Sequence, residues 1–267
     1  MRTVKQLIDL KGRVALITGG AGHLGFVAAE TLAQMGSKII LLDVNQDQCV
    51  QKARALQKEY RVKVFPVIVD LANEEEVRSV SGMVQKQFGA LDILVHCAAL
   101  VGTSHLKGWA VPFEQQNIDT WRRAIEINLT SAFLLVQSCR NLLLKSKRSS
   151  VINISSIYGM VGPDMDLYKD TPLGNPAAYA ASKGGLLQLT RWLATNLAPK
   201  TRVNAISLGG VFRNHQEPFL TKYKNRTPLK RMAAEEDLKG AIAYLASDLS
   251  QYVTGHNLVV DGGWTAW

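Results

Sequence analysis

Short, nearly unbroken apolar runs alternate with longer stretches in which apolar positions recur every three or four residues, almost to the end of the chain. The runs RVALIT, SKIILLD, VKVFPVIVD, LDILVHC, SVINISS, TRVNAIS and NLVVD predict seven strands. The stretches between them predict helices over 25–35, 46–60, 74–88, 120–144, 177–197 and 235–246. Strands that read as continuous Val/Ile/Leu are buried on both faces, as in a parallel sheet covered by helices. The expected fold is therefore α/β, a doubly wound parallel sheet with ligands bound outside the carboxyl ends of its strands. No repeat, low-complexity tract or linker divides the pattern, so residues 1–267 are expected to form one domain. Two segments, 157–176 and 208–233, fit neither period, and long excursions of this kind are more often functional than idle.

Composition adds limits. With 267 residues, 47% hydrophobic and 20% charged, the chain can bury a full core and is not a disordered polymer. Lysine and arginine number 31 against 22 acids, a formal charge of +9. Nucleic acid is nevertheless not the expected partner, because no binding module or aromatic stacking pattern accompanies the charge. Cys49, Cys97 and Cys139 are odd in number and not closely paired, which argues against a disulfide framework and against zinc and fits a reducing compartment. No apolar run approaches the ~18 residues of a membrane span. Arg2, Lys5, Asp9, Lys11 and Arg13 interrupt the N-terminus too often for a signal peptide. The expectation is a cytoplasmic protein that binds no membrane and no metal.

The first strand runs into TGGAGHLG, Thr18 to Gly25. Gly19 suits a tight turn, Gly22 lets backbone approach a pyrophosphate, and Gly25 allows a helix to pack closely; His23 and Leu24 complete the loop. The helix beginning there aims unpaired N–H groups and its positive dipole end at phosphate, which predicts a Rossmann-type dinucleotide site. Asp43, closing the second strand, stands where a carboxylate meets the adenosine ribose hydroxyls. It would repel a 2′-phosphate, and the adjoining DVNQ has no arginine to receive one, so NAD is favoured over NADP. Asp70, followed by Leu71, is either an adenine-side contact or the cap of the next helix.

From this point the chain resembles the short-chain dehydrogenases/reductases along nearly all its length, through TGGAGHLG, LDILVHCAA, INLTSAF, NISSIYG, YAASK, RVNAIS and YVTGHNLVVDGG. Tyr179 and Lys183 lie four apart on one helix and so share a face. A free phenol, with pKa near ~10, is too weak an acid to serve as a base at neutral pH. A nearby ammonium and an oxidised nicotinamide are expected to favour the phenolate and bring it toward a useful range, making Tyr179 the general acid/base. The resemblance implies that Lys183 also holds the nicotinamide ribose, that Ser156 bonds the substrate oxygen, and that Asn128 supports a proton-relay water. Cys97, Ala98 and Ala99, which stand where the family has NAG of NNAG, are implied cofactor neighbours, as is Gly209 in the turn after the sixth strand. The glycine spacing, with His23 at the family's middle glycine, resembles instead the longer branch that modifies sugar nucleotides.

The 22 residues between Ser156 and Tyr179 exceed the family's usual spacing, and the insert offers Asp164, Asp166, Tyr168, Lys169 and Asp170 either to a polyhydroxylated ligand or to solvent. From Arg213 to Arg231 six basic residues stand against Glu217, a local +5 that either focuses field on an anionic substrate or forms a solvated face. The insert, RTPLKRM and the ending VDGGWTAW more loosely resemble a subgroup that modifies flagellin or surface polysaccharide. The expected activity is NAD-dependent interconversion of a secondary alcohol and a ketone on a sugar, sugar phosphate or nucleotide sugar. A 3-oxoacyl thioester reductase and a catalytically silent NAD(H)-binding regulator are the alternatives. The family resemblance also implies a homo-oligomer, usually a tetramer, and the tryptophan-bearing end Gly263–Trp267 packs either in that contact or within its own subunit.

Overall fold

The computed structural model describes every residue except Thr103, His105 and Pro172. After a short capped helix, α1 (Val4–Ile8), the chain enters β1 (Val14–Thr18), α2 (His23–Gln34), β2 (Lys38–Asp43), α3 (Gln46–Tyr60), β3 (Val64–Ile68), α4 (Glu74–Phe88) and β4 (Ile93–His96). There follow α5 (Ile118–Ile125), a π-helical turn (Glu126–Thr130), α6 (Ser131–Lys145), β5 (Ser149–Ser156), α7 (Ala177–Leu197), β6 (Thr201–Leu208), α8 (Phe219–Arg226), α9 (Asp237–Ala246) and β7 (Asn257–Val260). All seven strands are parallel, in the order β3-β2-β1-β4-β5-β6-β7.

Period-two alternation divides each central strand between two layers. Ala15, Ile17, Ile39, Leu41, Ile93 and Val95 face α2, α3 and α9, where Leu32, Leu56 and Ile242 meet them. Leu16, Ile40, Leu42 and Leu94 face the other way, onto Val80 of α4, Leu135 of α6 and Leu193 of α7. Every residue of β1, β4 and β5 is buried, so these strands have no solvent face to mark with polar residues. The strand order reverses between β1 and β4, which opens a crevice beyond their carboxyl ends.

The helix expected over 120–144 is in fact two helices joined by the π turn, and that wider turn carries Asn128. Within the 208–233 excursion the structure adds α8, which the sequence reading did not anticipate. Asp70 does not cap α4. Asn73 does, accepting the N–H groups of Glu75 and Glu76, while Asp70 accepts the N–H of Ala72 within the preceding turn. No helix among the described residues is long and apolar enough to cross a membrane.

Candidate active site

The floor of the crevice is built by close backbone approach. Gly19 sits at φ +63°, a left-handed conformation, and a Cβ there would lie 2.8 Å from Cα of Ala98. A Cβ on Gly25 would lie 2.1 Å from the Gly19 carbonyl oxygen, so α2 can start this close to β1 only with glycine. Gly22 caps α2, and no side chain among the described residues satisfies the first N–H groups of the helix. A residue missed at the sequence level locks the two sides of the crevice together. The buried Thr18 hydroxyl accepts the N–H groups of Cys97 (3.0 Å) and Ala98 (3.1 Å).

Asp43 stands at the far end of this floor. Its carboxylate accepts the N–H of Ala21 at 2.9 Å and of Asn45 at 3.0 Å, which ties the glycine loop to the end of β2. Leu71 has its side chain in the core beneath, so only its backbone can reach a ligand. These features fit a dinucleotide: a glycine floor without side chains, free helical N–H groups for phosphate, and a carboxylate one strand away for a ribose.

At the other end, β5 delivers two adjacent serines to different neighbours. Ser155 donates its hydroxyl to the Lys183 carbonyl at 3.1 Å, whereas Ser156 accepts the N–H of Tyr158 at 3.2 Å beside Tyr179. The turn after β5 then packs directly on α7, since a Cβ on Gly159 would come within 2.7 Å of the Lys183 backbone. Lys183 is 3% exposed; its ammonium donates to the Ile154 carbonyl at 2.8 Å and lies 5.7 Å from the Tyr179 ring centroid. Burial pushes this ammonium down to about 8, with Cys97 acting in the opposite direction. Burial also pushes the Tyr179 phenol above its ordinary value, while Ser156 pulls it down. In the free protein desolvation outweighs the groups that favour the phenolate.

Asn128 is wholly buried and spends its amide on structure. Its Oδ1 accepts the Leu100 N–H at 2.7 Å, and its Nδ2 donates to the Leu100 carbonyl and to the Ser182 hydroxyl. It therefore fixes the loop after β4 against the helix that carries Lys183. Burial and then the Lys183 charge push His96 down to about 3, and burial pushes the Cys97 thiol up to about 11.

Leu24, Cys97, Ala99, Ser156, Tyr179, Lys183 and Gly209, all singled out from the sequence, line one cleft of about 280 Å³. Both excursions reach it. The insert supplies Tyr168, Leu173, Gly174 and Asn175, and the later segment supplies Arg213, His215, Phe219 and Tyr223. Of the two readings of the basic run, the charges mostly follow the second, away from the cleft. Lys222 donates to the Asp166 and Lys169 carbonyls, Arg226 pairs with Asp164 at 3.7 Å, and Arg231 with Asp237 at 2.5 Å. The bonds of Lys222 and Arg226 fasten the two excursions together, that of Arg231 ties the second to α9, and of the six basic residues only Arg213 lines the cleft. Arg213 itself pairs with Glu235, which also holds His23 of the glycine loop at 3.2 Å. Trp264 stacks on Tyr223 within the chain, with ring centroids 4.6 Å apart, whereas Trp267 is 71% exposed.

The comparisons with known proteins agree along almost the whole length. A family model described as Enoyl-(Acyl carrier protein) reductase matches residues 19–265. Trans-4-hydroxycyclohexanecarboxylate dehydrogenase of Sinomonas cyclohexanicum is 34% identical over 261 residues, covering 95% of this chain and 93% of that protein. Post-translational flagellin modification protein A of Campylobacter coli is 26% identical over 257 residues, with coverage of 96% and 99%. Among solved structures, a gluconate 5-dehydrogenase from Burkholderia cenocepacia J2315 in complex with NADP and tartrate superposes with a TM-score of 0.86. It is 26% identical, over 99% of this chain and 100% of that one.

Proposed function

The chain belongs to the short-chain dehydrogenase/reductase family of oxidoreductases, and on that premise we propose that it uses NAD to interconvert a secondary alcohol and a ketone. The observation that carries this reading is the meeting of Ser156, Tyr179 and Lys183 in one cleft with Leu24 of the glycine loop. A bound nicotinamide dinucleotide supplies the hydride acceptor. In oxidation, the Ser156 hydroxyl holds the substrate oxygen while the Tyr179 phenolate takes the alcohol proton; in reduction Tyr179 returns it. Lys183 favours the phenolate by its charge and holds the nicotinamide ribose. Asn128 keeps the loop bearing Ala98 and Ala99 in register with α7. Asp43 supports NAD over NADP, because its carboxylate, bonded to the Ala21 N–H at the end of β2 beside the glycine loop, would repel a 2′-phosphate.

The substrate we propose is a hydroxylated ring or chain that carries an anionic group, a sugar acid or sugar phosphate among them. In support, the described cleft lining contains no aspartate or glutamate, while Arg213, paired with Glu235 behind it, lies on it. The two relatives named for reactions on a hydroxycyclohexanecarboxylate and on gluconate act on hydroxy acids. A 3-oxoacyl thioester reductase is the second reading. It is favoured by a 29% identical relative in Aquifex aeolicus that is named as a 3-oxoacyl-[acyl-carrier-protein] reductase and by the apolar Leu173, Phe219 and Met232 in the cleft wall. A homo-oligomer accompanies the proposal, since Phe113, Ile118 and Trp121 expose apolar surface on and beside α5.

The test is turnover with NAD and with NADP on a panel of cyclic alcohols, hydroxy acids, sugar phosphates and 3-oxoacyl thioesters, followed by absorbance of the reduced cofactor. Oxidation of hydroxy acids or sugar phosphates with NAD supports the reading. Turnover of the thioesters alone moves it to the second, and cofactor binding without turnover of any alcohol identifies a regulator.

A further inference from the structure

The long insert does more than close one side of the cleft; it carries a hydrogen-bond chain that ends inside it. The Asn175 amide donates from Nδ2 to the Tyr168 hydroxyl oxygen at 3.2 Å, and the Tyr168 hydroxyl donates to the Tyr158 hydroxyl oxygen at 2.9 Å. All three residues line the cleft that holds Ser156 and Tyr179. The bonds run one way: the Asn175 amide, its own Oδ1 without a partner among the described residues, donates to Tyr168, and Tyr168 donates its one proton to Tyr158. Tyr158 therefore still holds a proton to donate, and no described residue accepts it.

The backbone fixes where that donor stands. The Tyr158 N–H bonds to the Ser156 hydroxyl, so the ring is anchored two residues from the serine proposed to hold the reacting oxygen. Packing holds the neighbours in place: Tyr168 lies 5.8 Å from Phe219 of α8, and Phe219 stacks on His215 at 5.2 Å. Burial, then the charge of Tyr168, raises the Tyr158 phenol far above its ordinary value, so it remains a donor at any working pH and does not compete with Tyr179 as a base. A polarised chain of this kind strengthens its last donor. An apolar group seated against that donor would leave it unpaired in a dry pocket, a strong penalty against the wrong substrate.

We propose that the Tyr158 hydroxyl, oriented by Tyr168 and Asn175 of the insert, donates to a second oxygen of the substrate, so that the cleft selects alcohols bearing another hydroxyl or a carboxylate over isolated alcohols. The proposal rests on the oxidoreductase reading above and adds the specificity residue to it.

The experiment compares cyclohexanol with the 1,2-, 1,3- and 1,4-cyclohexanediols, in the wild type and in Tyr158→Phe and Tyr168→Phe, with NAD in excess. The wild type should prefer at least one diol over cyclohexanol by about tenfold or more in kcat/KM. Tyr158→Phe should remove most of that preference, by lowering diol oxidation and by raising cyclohexanol oxidation, because no donor is then left unpaired against the apolar ring. Tyr168→Phe, which leaves the donor in place but unoriented, should produce a smaller loss, read mainly in KM. Equal losses on diol and cyclohexanol in Tyr158→Phe, or no diol preference in the wild type, would overturn the subsite and leave the oxidoreductase reading intact. A wild type that oxidises none of these alcohols, nor the wider panel, would overturn both. Thermal melting of each variant confirms that the fold is retained, so a loss is not read from an unfolded chain.

Discussion

Replacing Lys183 by Met removes a buried ammonium and keeps most of the side-chain volume, which isolates the electrostatic part of its role. The ammonium lies 5.7 Å from the centre of the Tyr179 ring. At an effective dielectric of about 20, two unit charges at that separation interact by about 3 kcal/mol, or roughly two pK units. Without Lys183 the phenolate should therefore form about two pH units higher. The acid limb of kcat/KM for alcohol oxidation, which rises as Tyr179 deprotonates, should move up by that amount, and the rate at neutral pH should fall about 10²-fold. In the wild type the two groups titrate as a coupled pair, with burial holding the lysine itself near 8, so the measured values are apparent ones. The assay is a pH–rate profile under subsaturating alcohol and saturating cofactor, with the NAD dissociation constant measured separately. A profile that drops in height without moving along the pH axis would refute the electrostatic argument and leave Lys183 only the holding of the cofactor ribose.

Asp43→Ala should narrow the preference for NAD over NADP by about tenfold, because it removes like-charge repulsion and also frees the Ala21 and Asn45 N–H groups; tighter binding of NADP than of NAD by the unaltered protein would contradict this. Gly25→Ala places a Cβ against the Gly19 carbonyl and should weaken NAD binding at least tenfold and destabilise the fold by ~1–3 kcal/mol; wild-type affinity measured by titration would count against the close-approach argument. Asp248 gathers Arg2, Arg13 and Arg148 at the opposite end of the sheet; burial pushes its carboxyl up, but the arginines more than offset this and hold it at about 2. A depressed carboxyl stabilises the fold above its unfolded value of 3.8 and loses that contribution as pH falls through 4 toward 2. The loss is about 2 kcal/mol, so urea unfolding between pH 5 and 2 should cost the wild type that much more than Asp248→Asn, and parallel curves would remove the claim.

Much of this was legible in the chain because the signals are local. Strands such as VALIT and KIILLD are buried on both faces, and their unbroken apolar runs predict a helix-covered parallel sheet. Gly19 and Gly25 carry their meaning in the glycine itself, since backbone proximity excludes any Cβ. Tyr179 and Lys183 are read from helical spacing. What was hidden depends on long-range partners. Thr18 matters through N–H groups 79 and 80 residues away, and no pattern around it marks that. The basic run 213–231 reads as a field source until Asp164, Asp237 and two carbonyls of the insert are found to engage Lys222, Arg226 and Arg231 away from the cleft. Asp70 and Asn73 are both plausible caps by residue type, and only backbone geometry separates them. The π turn at Asn128 was invisible because one extra residue per turn leaves a helical apolar pattern nearly unchanged.

The most direct test of the account is single-turnover oxidation of an accepted alcohol by Tyr179→Phe with NAD prebound. The substitution deletes the proton-transfer oxygen at nearly constant volume. The account predicts that the rate of nicotinamide reduction falls by ~10²–10⁴, with the NAD dissociation constant and the melting temperature unchanged. A Phe variant that reduces nicotinamide at the wild-type rate would contradict it.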